Sequence, residues 1–161
     1  MSKNRRSATS PSNRWLYYLI IILFLFFYFQ SEEAGTYLVV RVIDGDTIEL
    51  SNGEKVRYIG IDTPELHHPQ KEVERYAREA YEANRRMVEG KRVRLELDVE
   101  ERDRYGRILA YVYVDDLMVN EWLVANGYAR VATFPPNVKY TERFLQLERE
   151  ARQEKIGLWA D

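Results

Sequence analysis

The feature that most limits how this chain can fold is an uninterrupted apolar run near its N-terminus. Residues 15–29 contain no charge, whereas Lys3, Arg5, Arg6 and Arg14 precede them. The run has no polar face, so it does not suit a core-facing helix of a globular domain. As a helix it would extend about 22 Å, which lies between the apolar part of a signal peptide and a helix crossing a bilayer core of about 30 Å.

Two roles for this run remain open, an uncleaved membrane anchor and a signal that is removed. Glu32 and Glu33 occupy the position where signal cleavage needs a small residue, which favours the anchor. The positive-inside rule then predicts a single-pass protein whose folded domain lies outside the cytoplasm, or a secreted domain if cleavage occurs. The predicted organisation is a basic segment at 1–14, an anchor or signal at 15–29, a linker at 30–36 and one domain at 37–161.

Composition excludes several kinds of chemistry. The 161 residues include no cysteine, so disulfides, thiolate nucleophiles and zinc–thiolate clusters are ruled out. A net charge of −2 also excludes the global positive field that many nucleic-acid-binding proteins carry. Carboxylates, arginines and two histidines remain as the candidate functional groups.

Residue periodicity predicts an α+β domain. Short β-branched or alternating segments predict five strands, at residues 37–43, 47–50, 55–61, 92–97 and 108–114. Helical spacing and stop signals predict three helices, one from Pro69 to Gly90, one over 119–126, and one capped by Thr141 that ends near Gly157. This order predicts a five-stranded Greek-key barrel of the OB type with three helices, preceded by the N-terminal hydrophobic helix.

Acidic residues flank two of the predicted strand ends. Asp44 and Asp46 lie in a turn between the first two strands, and Asp62 and Glu65 follow the third. Asp44 also suits an ordinary Asp-Gly turn. If the strands are neighbours, Asp46 and Asp62 meet at one rim, where they would repel unless a hard cation with oxygen ligands lay between them. The residue types favour Ca²⁺ over zinc.

Two arginines complete this pattern. Arg57 lies five residues before Asp62, and Arg107 opens the last predicted strand. Hydrolysis of a phosphodiester builds negative charge on phosphoryl oxygens, which guanidinium groups bind through paired hydrogen bonds. Either arginine alone would more simply form a surface ion pair, so the prediction of phosphate chemistry depends on the whole set.

Several ordered motifs resemble the staphylococcal nuclease (thermonuclease) family. They are VIDGDTIEL, VRYIGIDTPE, the helix start HPQK, DRYGRILAYVY and EKIGLW, within residues 37–161. The resemblance implies an OB-fold barrel and a calcium-dependent nuclease acting on DNA and RNA. It further implies that Asp46 and Asp62 bind Ca²⁺ with the Thr63 carbonyl, and that Asp44 is an outer carboxylate near the metal.

The resemblance implies roles for five other residues. Glu65 would lie beside the attacking water, either as its general base or as a group that orients it. Arg57 and Arg107 would clamp the phosphate, and Arg104 and Tyr105 would contact the phosphate or sugar. A monomer is expected, with nucleic acid as the substrate.

One segment departs from the family pattern. Where the family has two pocket tyrosines, this chain has the segment 133–136, and Phe134 or Tyr140 would either replace the stacking surface or simply pack. His67 and His68 fit an exposed loop better than a metal site. The alternative to an enzyme is an inactive OB-type domain that only binds nucleic acid or protein.

Overall fold

The computed structural model describes residues 14–33, 35–66 and 74–160. It divides the chain into two units, 1–34 and 35–161, which are described separately. The helices are α1 Arg14–Glu33, α2 Ala77–Val88, α3 Val119–Ala125 and α4 Thr141–Gln153, and a short 3₁₀ helix covers Gly157–Trp159. The strands are β1 Thr36–Asp44, β2 Thr47–Leu50, β3 Lys55–Tyr58, β4 Ile61–Asp62, β5 Arg92–Glu96, β6 Ile108–Val114, β7 Leu117–Met118 and β8 Arg130–Val131.

The first unit contains α1, which includes the apolar run of residues 15–29 and continues to Glu33. The side chains of residues 15–24 are exposed within the chain. In the described parts of the chain, no helix is both long enough and apolar enough to cross a membrane.

The second unit is a five-stranded barrel with helices around it. Strands β3, β2, β1, β5 and β6 are antiparallel neighbours in that order, and a parallel pairing of β3 with β6 closes the barrel. The predicted α+β barrel is thus confirmed. Buried β-branched side chains fill its interior, which is the packing that pleated strands favour; they include Val39, Ile48, Val56, Val93 and Val112.

The third predicted strand, residues 55–61, is interrupted in the structure. Gly60 has a φ of 78°, a left-handed conformation that few residues other than glycine adopt. A Cβ at Gly60 would lie 2.8 Å from the Phe144 ring, so the bend also allows α4 to pack closely. The interruption makes β4 a separate strand that pairs with β8 instead of continuing the barrel.

The helices follow the predicted order but differ at their ends. In the described chain α2 begins at Ala77, and the predicted start at Pro69 lies outside the described residues. Its buried face includes Ala80 and Val88, as the helical spacing predicted. The prediction that Thr141 caps α4 was wrong, because Tyr140 holds the N-cap position and Thr141 is the first helical residue.

Candidate active site

The turn between β1 and β2 packs against the segment that follows β4. A Cβ at Gly45 would lie 2.5 Å from Thr63 Oγ1, so only a glycine allows this close approach. The backbone N–H of Thr63 donates to Asp46 Oδ2 at 2.9 Å, and the Thr47 hydroxyl donates to Asp46 Oδ1 at 3.1 Å. The structure therefore joins the two acidic strand ends, as the strand order predicted.

Arg57 lies between the two carboxylates predicted to bind a cation. Its Nη1 is 2.5 Å from Asp46 Oδ2, and its Nη2 donates to Asp62 Oδ1 at 2.8 Å. Asp46 is buried, whereas more than half of the Asp62 side chain is exposed. The guanidinium group is thus the positive charge that holds these two acids together.

Asp44 and Glu65 lie beside this ion pair and carry raised pKa values. For Asp44, partial burial raises the pKa most, and the charge of Asp46 adds to it, against the Gly45 N–H that donates to its Oδ1 at 2.9 Å. For Glu65, burial again acts first, followed by the charges of Asp44 and Asp46. Partial burial likewise raises the pKa of Asp62 despite Arg57. The single guanidinium group of Arg57 therefore does not neutralise the negative charge of the four acids, Asp44, Asp46, Asp62 and Glu65.

A cavity of about 480 Å³ opens next to the acids. Its lining includes Arg57, Asp62, Arg104, Tyr105 and Arg107. The Tyr105 side chain is 69% exposed, and the guanidinium carbons of Arg104 and Arg107 lie 4.8 and 5.6 Å from its ring centroid. The cavity thus combines three arginines with an accessible aromatic ring.

Asp103 is a site residue that the sequence reasoning missed. Its Oδ2 accepts a hydrogen bond from Arg107 Nε at 2.6 Å, and its Oδ1 accepts from the backbone N–H groups of Tyr105 and Arg107 at 2.9 and 3.0 Å. Burial alone would raise its pKa, but these hydrogen bonds lower it. The available signal was an aspartate opening a tight turn, where its side chain commonly binds backbone N–H groups.

The two candidate stacking residues have different surroundings. Phe134 lines the cavity and is 73% exposed. Tyr140 instead packs edge-on against Tyr111, with ring centroids 4.6 Å apart, and its hydroxyl donates to Glu96 Oε1 at 2.9 Å. Of the two, only Phe134 lies where a ligand in this cavity could reach it.

The metal prediction receives mixed support from the side chains. Within the described ranges, no group of three or more His, Cys, Asp or Glu residues is arranged to hold a metal ion. His67 and His68 lie outside the described residues. The donor chemistry nevertheless fits a hard cation, because Asp44, Asp46, Asp62 and Glu65 supply only oxygen atoms and have excess negative charge.

Comparisons with known proteins agree with this arrangement. The family described as "Staphylococcal nuclease homologue" matches residues 55–161. The thermonuclease of Staphylococcus hyicus is 44% identical over 129 residues, which cover 78% of this chain and 76% of that protein. That of Staphylococcus intermedius is 43% identical over 127 residues, covering 77% and 76%. Endonuclease YncB of Bacillus subtilis is 45% identical over 125 residues, covering 74% of this chain and 59% of that protein.

The barrel, the arginine-lined cavity and these similarities place the protein among the phosphodiester hydrolases of the nuclease type. The chain belongs to the staphylococcal nuclease family. The family resemblance and the enzyme class expected from the sequence are both confirmed. The roles of individual residues stay predictions.

Proposed function

We propose that this protein is a calcium-dependent nuclease that hydrolyses phosphodiester bonds of DNA, RNA or both. The observation that carries the proposal is the meeting of opposite charges at one cavity. Arg57 and Arg107 line it, and Arg57 bridges Asp46 and Asp62 at its edge. An inactive binding domain needs the arginines but has no use for a cluster of acids with raised pKa values.

The arginines hold the phosphate in this proposal. Asp103 orients Arg107 by accepting a hydrogen bond from its Nε. In this proposal the two Nη groups of Arg107 bind the phosphoryl oxygens. Arg57 lines the same cavity and contributes a second guanidinium group. Fixed guanidinium groups stabilise the charge that grows on the phosphoryl oxygens as water attacks phosphorus and the ester bond breaks.

Glu65 orients the attacking water or accepts its proton. The pKa of its carboxyl is raised by burial and by the neighbouring charges of Asp44 and Asp46. A raised pKa makes a carboxylate a stronger proton acceptor near neutral pH. Arg104 and Tyr105 contact the phosphate or sugar next to the reacting bond, because they line the same cavity.

Calcium is proposed from the donor set. Asp46, Asp62 and the Thr63 carbonyl would hold the ion, with Asp44 as an outer carboxylate. When bound, a divalent ion supplies positive charge next to the phosphate and to the attacking water. Because Arg57 already contacts Asp46 and Asp62, these acids remain held close together before any cation arrives.

The direct test is hydrolysis of single-stranded DNA and of RNA by the full chain, with Ca²⁺ or with excess chelator. We expect cleavage with Ca²⁺, its loss with chelator, and weaker Ca²⁺ binding by Asp46→Ala and Asp62→Ala. Full activity of either variant in excess chelator contradicts the calcium proposal. Binding of nucleic acid without cleavage under all of these conditions contradicts the nuclease proposal and supports an inactive binding domain.

We further propose that the N-terminal segment carries the domain out of the cytoplasm, as a membrane attachment through residues 15–29 or as a removed signal. The support is the basic residues Lys3, Arg5, Arg6 and Arg14 before an uncharged run. Protease added to intact cells should digest the nuclease domain, and its full protection there contradicts export. A soluble form that begins near residues 31–37 identifies the removed signal. The nuclease is proposed to act as a monomer.

A further inference from the structure

Asn84 is a buried polar residue on the face of α2 that packs against the barrel. Its side chain is fully buried, among alanines and Val88 on the same face. Asn84 Nδ2 donates to the backbone carbonyl of Asp44 at 3.2 Å, and the hydroxyl of Tyr58 donates to Asn84 Oδ1 at 2.9 Å. A buried amide is costly unless both ends are bonded, and here both are.

The orientation of the Asn84 amide follows from its partners. The Asp44 carbonyl is only an acceptor, so the NH₂ end of Asn84 must face it. The oxygen end then faces Tyr58, whose buried hydroxyl must donate. The Asn84 amide therefore has one orientation, in which its NH₂ group connects α2 to the acidic turn.

Tyr58 contacts the same turn a second time, through its backbone. Its N–H donates to the Asp46 carbonyl at 3.0 Å. These contacts form one continuous path. It runs from the Asp44 carbonyl through the Asn84 amide, the Tyr58 hydroxyl and the Tyr58 backbone to the Asp46 carbonyl. This path holds the turn on both sides of Gly45.

The position of this turn also determines the geometry of the candidate active site. Gly45 packs on Thr63 so closely that a displacement of the turn must move Thr63 or open a gap. The Thr63 N–H donates to Asp46 Oδ2, and the same oxygen contacts Arg57. The position of the turn therefore affects the acid, the arginine and the Thr63 backbone together.

We propose that Asn84 and Tyr58 are positioning residues, which hold the Asp44–Asp46 turn from α2 and β3 in the geometry that the cation and the phosphate require. This inference rests on the proposed nuclease function, but its effect on the turn is measurable without catalysis. Asn84 does not line the cavity of the described chain, so it acts through the turn and not by contact with substrate. Tyr58 does line the cavity, but its side chain is buried and its hydroxyl is bonded to Asn84, so its proposed role is also to hold the turn.

The first experiment is amide hydrogen exchange of the full chain without added metal. Asn84→Ala should speed exchange at Gly45 and Thr63, whose N–H groups donate to Asp44 and Asp46. The expected increase is about fivefold, which corresponds to about 1 kcal/mol, the usual net contribution of one hydrogen bond. Tyr58→Phe keeps the ring and removes only the hydroxyl, so it should give a smaller increase at the same two amides.

The matched control is Asn120→Ala. Asn120 is also fully buried and also uses both amide ends, accepting from the Val112 N–H and donating to the Ile59 carbonyl, each at 2.9 Å. Its loss should lower global stability without selectively speeding exchange at Gly45 and Thr63. If Asn84→Ala and Asn120→Ala give the same exchange pattern at matched stability, Asn84 is an ordinary buried amide and the inference is wrong.

The second experiment measures Ca²⁺ binding by calorimetry and turnover on single-stranded DNA. Residues that orient metal ligands typically change affinity or activity by about 10- to 100-fold when removed, so Asn84→Ala should weaken Ca²⁺ binding by about tenfold, and Asn120→Ala should not. Because both residues act through one path, the effects of Asn84→Ala and Tyr58→Phe should be less than additive. Full additivity, or unchanged Ca²⁺ affinity in Asn84→Ala, contradicts the inference.

Failure of the proposed function has a different signature. A wild-type protein that neither binds Ca²⁺ nor cleaves nucleic acid would disprove the nuclease proposal, whereas selective exchange at Gly45 and Thr63 would still decide whether Asn84 holds the turn.

Discussion

Partly buried carboxylates occur in two different settings in this barrel. Glu96, on β5, accepts hydrogen bonds from the Lys139 ammonium at 2.6 Å and from the Tyr113 and Tyr140 hydroxyls at 2.9 Å each. Burial alone would raise its pKa, but these donors outweigh burial and lower it. For Asp44 and Glu65 burial raises the pKa, and the like charges that crowd them raise it further.

The difference separates a carboxylate that supports the fold from acids that suit a function. Glu96 has three donors for its two oxygens, so its charge is already stabilised by the folded chain. The acids of the site share one arginine and keep excess negative charge. Such an unfavourable arrangement persists in a folded protein where a ligand or a reaction uses it.

The largest expected effect belongs to Glu65. Glu65→Gln nearly keeps the shape of the side chain but removes its charge and its ability to accept a proton, so turnover should fall by roughly 10²- to 10⁴-fold. Ca²⁺ and nucleotide affinity should change little. Steady-state kinetics and calorimetry measure both, with Glu54→Gln as the control because Glu54 pairs with Arg102 at the surface. Unchanged turnover across the pH range removes Glu65 from the chemistry.

Arg57→Lys and Arg107→Lys should each lower turnover by roughly 10²- to 10³-fold, although the charge is kept. A lysine ammonium cannot reproduce the paired hydrogen bonds of a guanidinium group. Arg102→Lys is the control, because Arg102 makes a similar two-point contact with Glu54, at 2.9 and 3.0 Å, away from the cavity. Near-wild-type turnover of both site variants, with circular dichroism showing an intact fold, would make the phosphate assignment wrong.

Much of this architecture could be predicted because it depends on local signals. Alternating β-branched residues predicted the five barrel strands, and the spacing of buried residues predicted α2. The neighbouring strands then placed Asp46 and Asp62 close together, with Arg57 between them. Pattern and topology were therefore sufficient to predict that Asp46 and Asp62 lie close together, whereas the contact of Arg57 with both carboxylates was not predicted.

The missed features depend on tertiary contacts that no local pattern carries. The interruption at Gly60 follows from a positive φ and from the Phe144 ring, which is 84 residues away in the chain. Asn84 lies within the helix that residue spacing predicted, but its hydrogen bonds to Tyr58 and to the Asp44 carbonyl are visible only in the folded structure. Asp103 had a local turn signal, but its contact with Arg107 Nε required side-chain geometry.

A moderate effect is expected for Asp103. Hydrogen bonds lower its pKa, as they do for Glu96, but Asp103 also contacts Arg107 in the site. Asp103→Asn keeps an oxygen for the backbone N–H groups but turns an amide towards Arg107 Nε. Loss of a charged hydrogen bond of about 1.5 kcal/mol predicts a roughly tenfold fall in kcat/KM on single-stranded DNA. An unchanged kcat/KM would show that Arg107 does not need Asp103 for its orientation.

The smallest effect is expected at Glu96, the carboxylate whose charge the fold already stabilises. Tyr140→Phe removes one donor to Glu96 and should lower the free energy of unfolding by about 1 kcal/mol at neutral pH, while turnover stays unchanged because Tyr140 packs on Tyr111. The pKa of Glu96 is lower in the folded state, so its contribution is present above the unfolded pKa and is lost as pH falls through the folded pKa. Urea unfolding of wild type and variant should therefore differ most at neutral pH and converge well below pH about 4.3, the ordinary pKa of glutamate. A difference that stays constant with pH would mean that Tyr140 stabilises the fold through its ring contacts, and a fall in turnover would restore Tyr140 as a candidate for stacking against substrate.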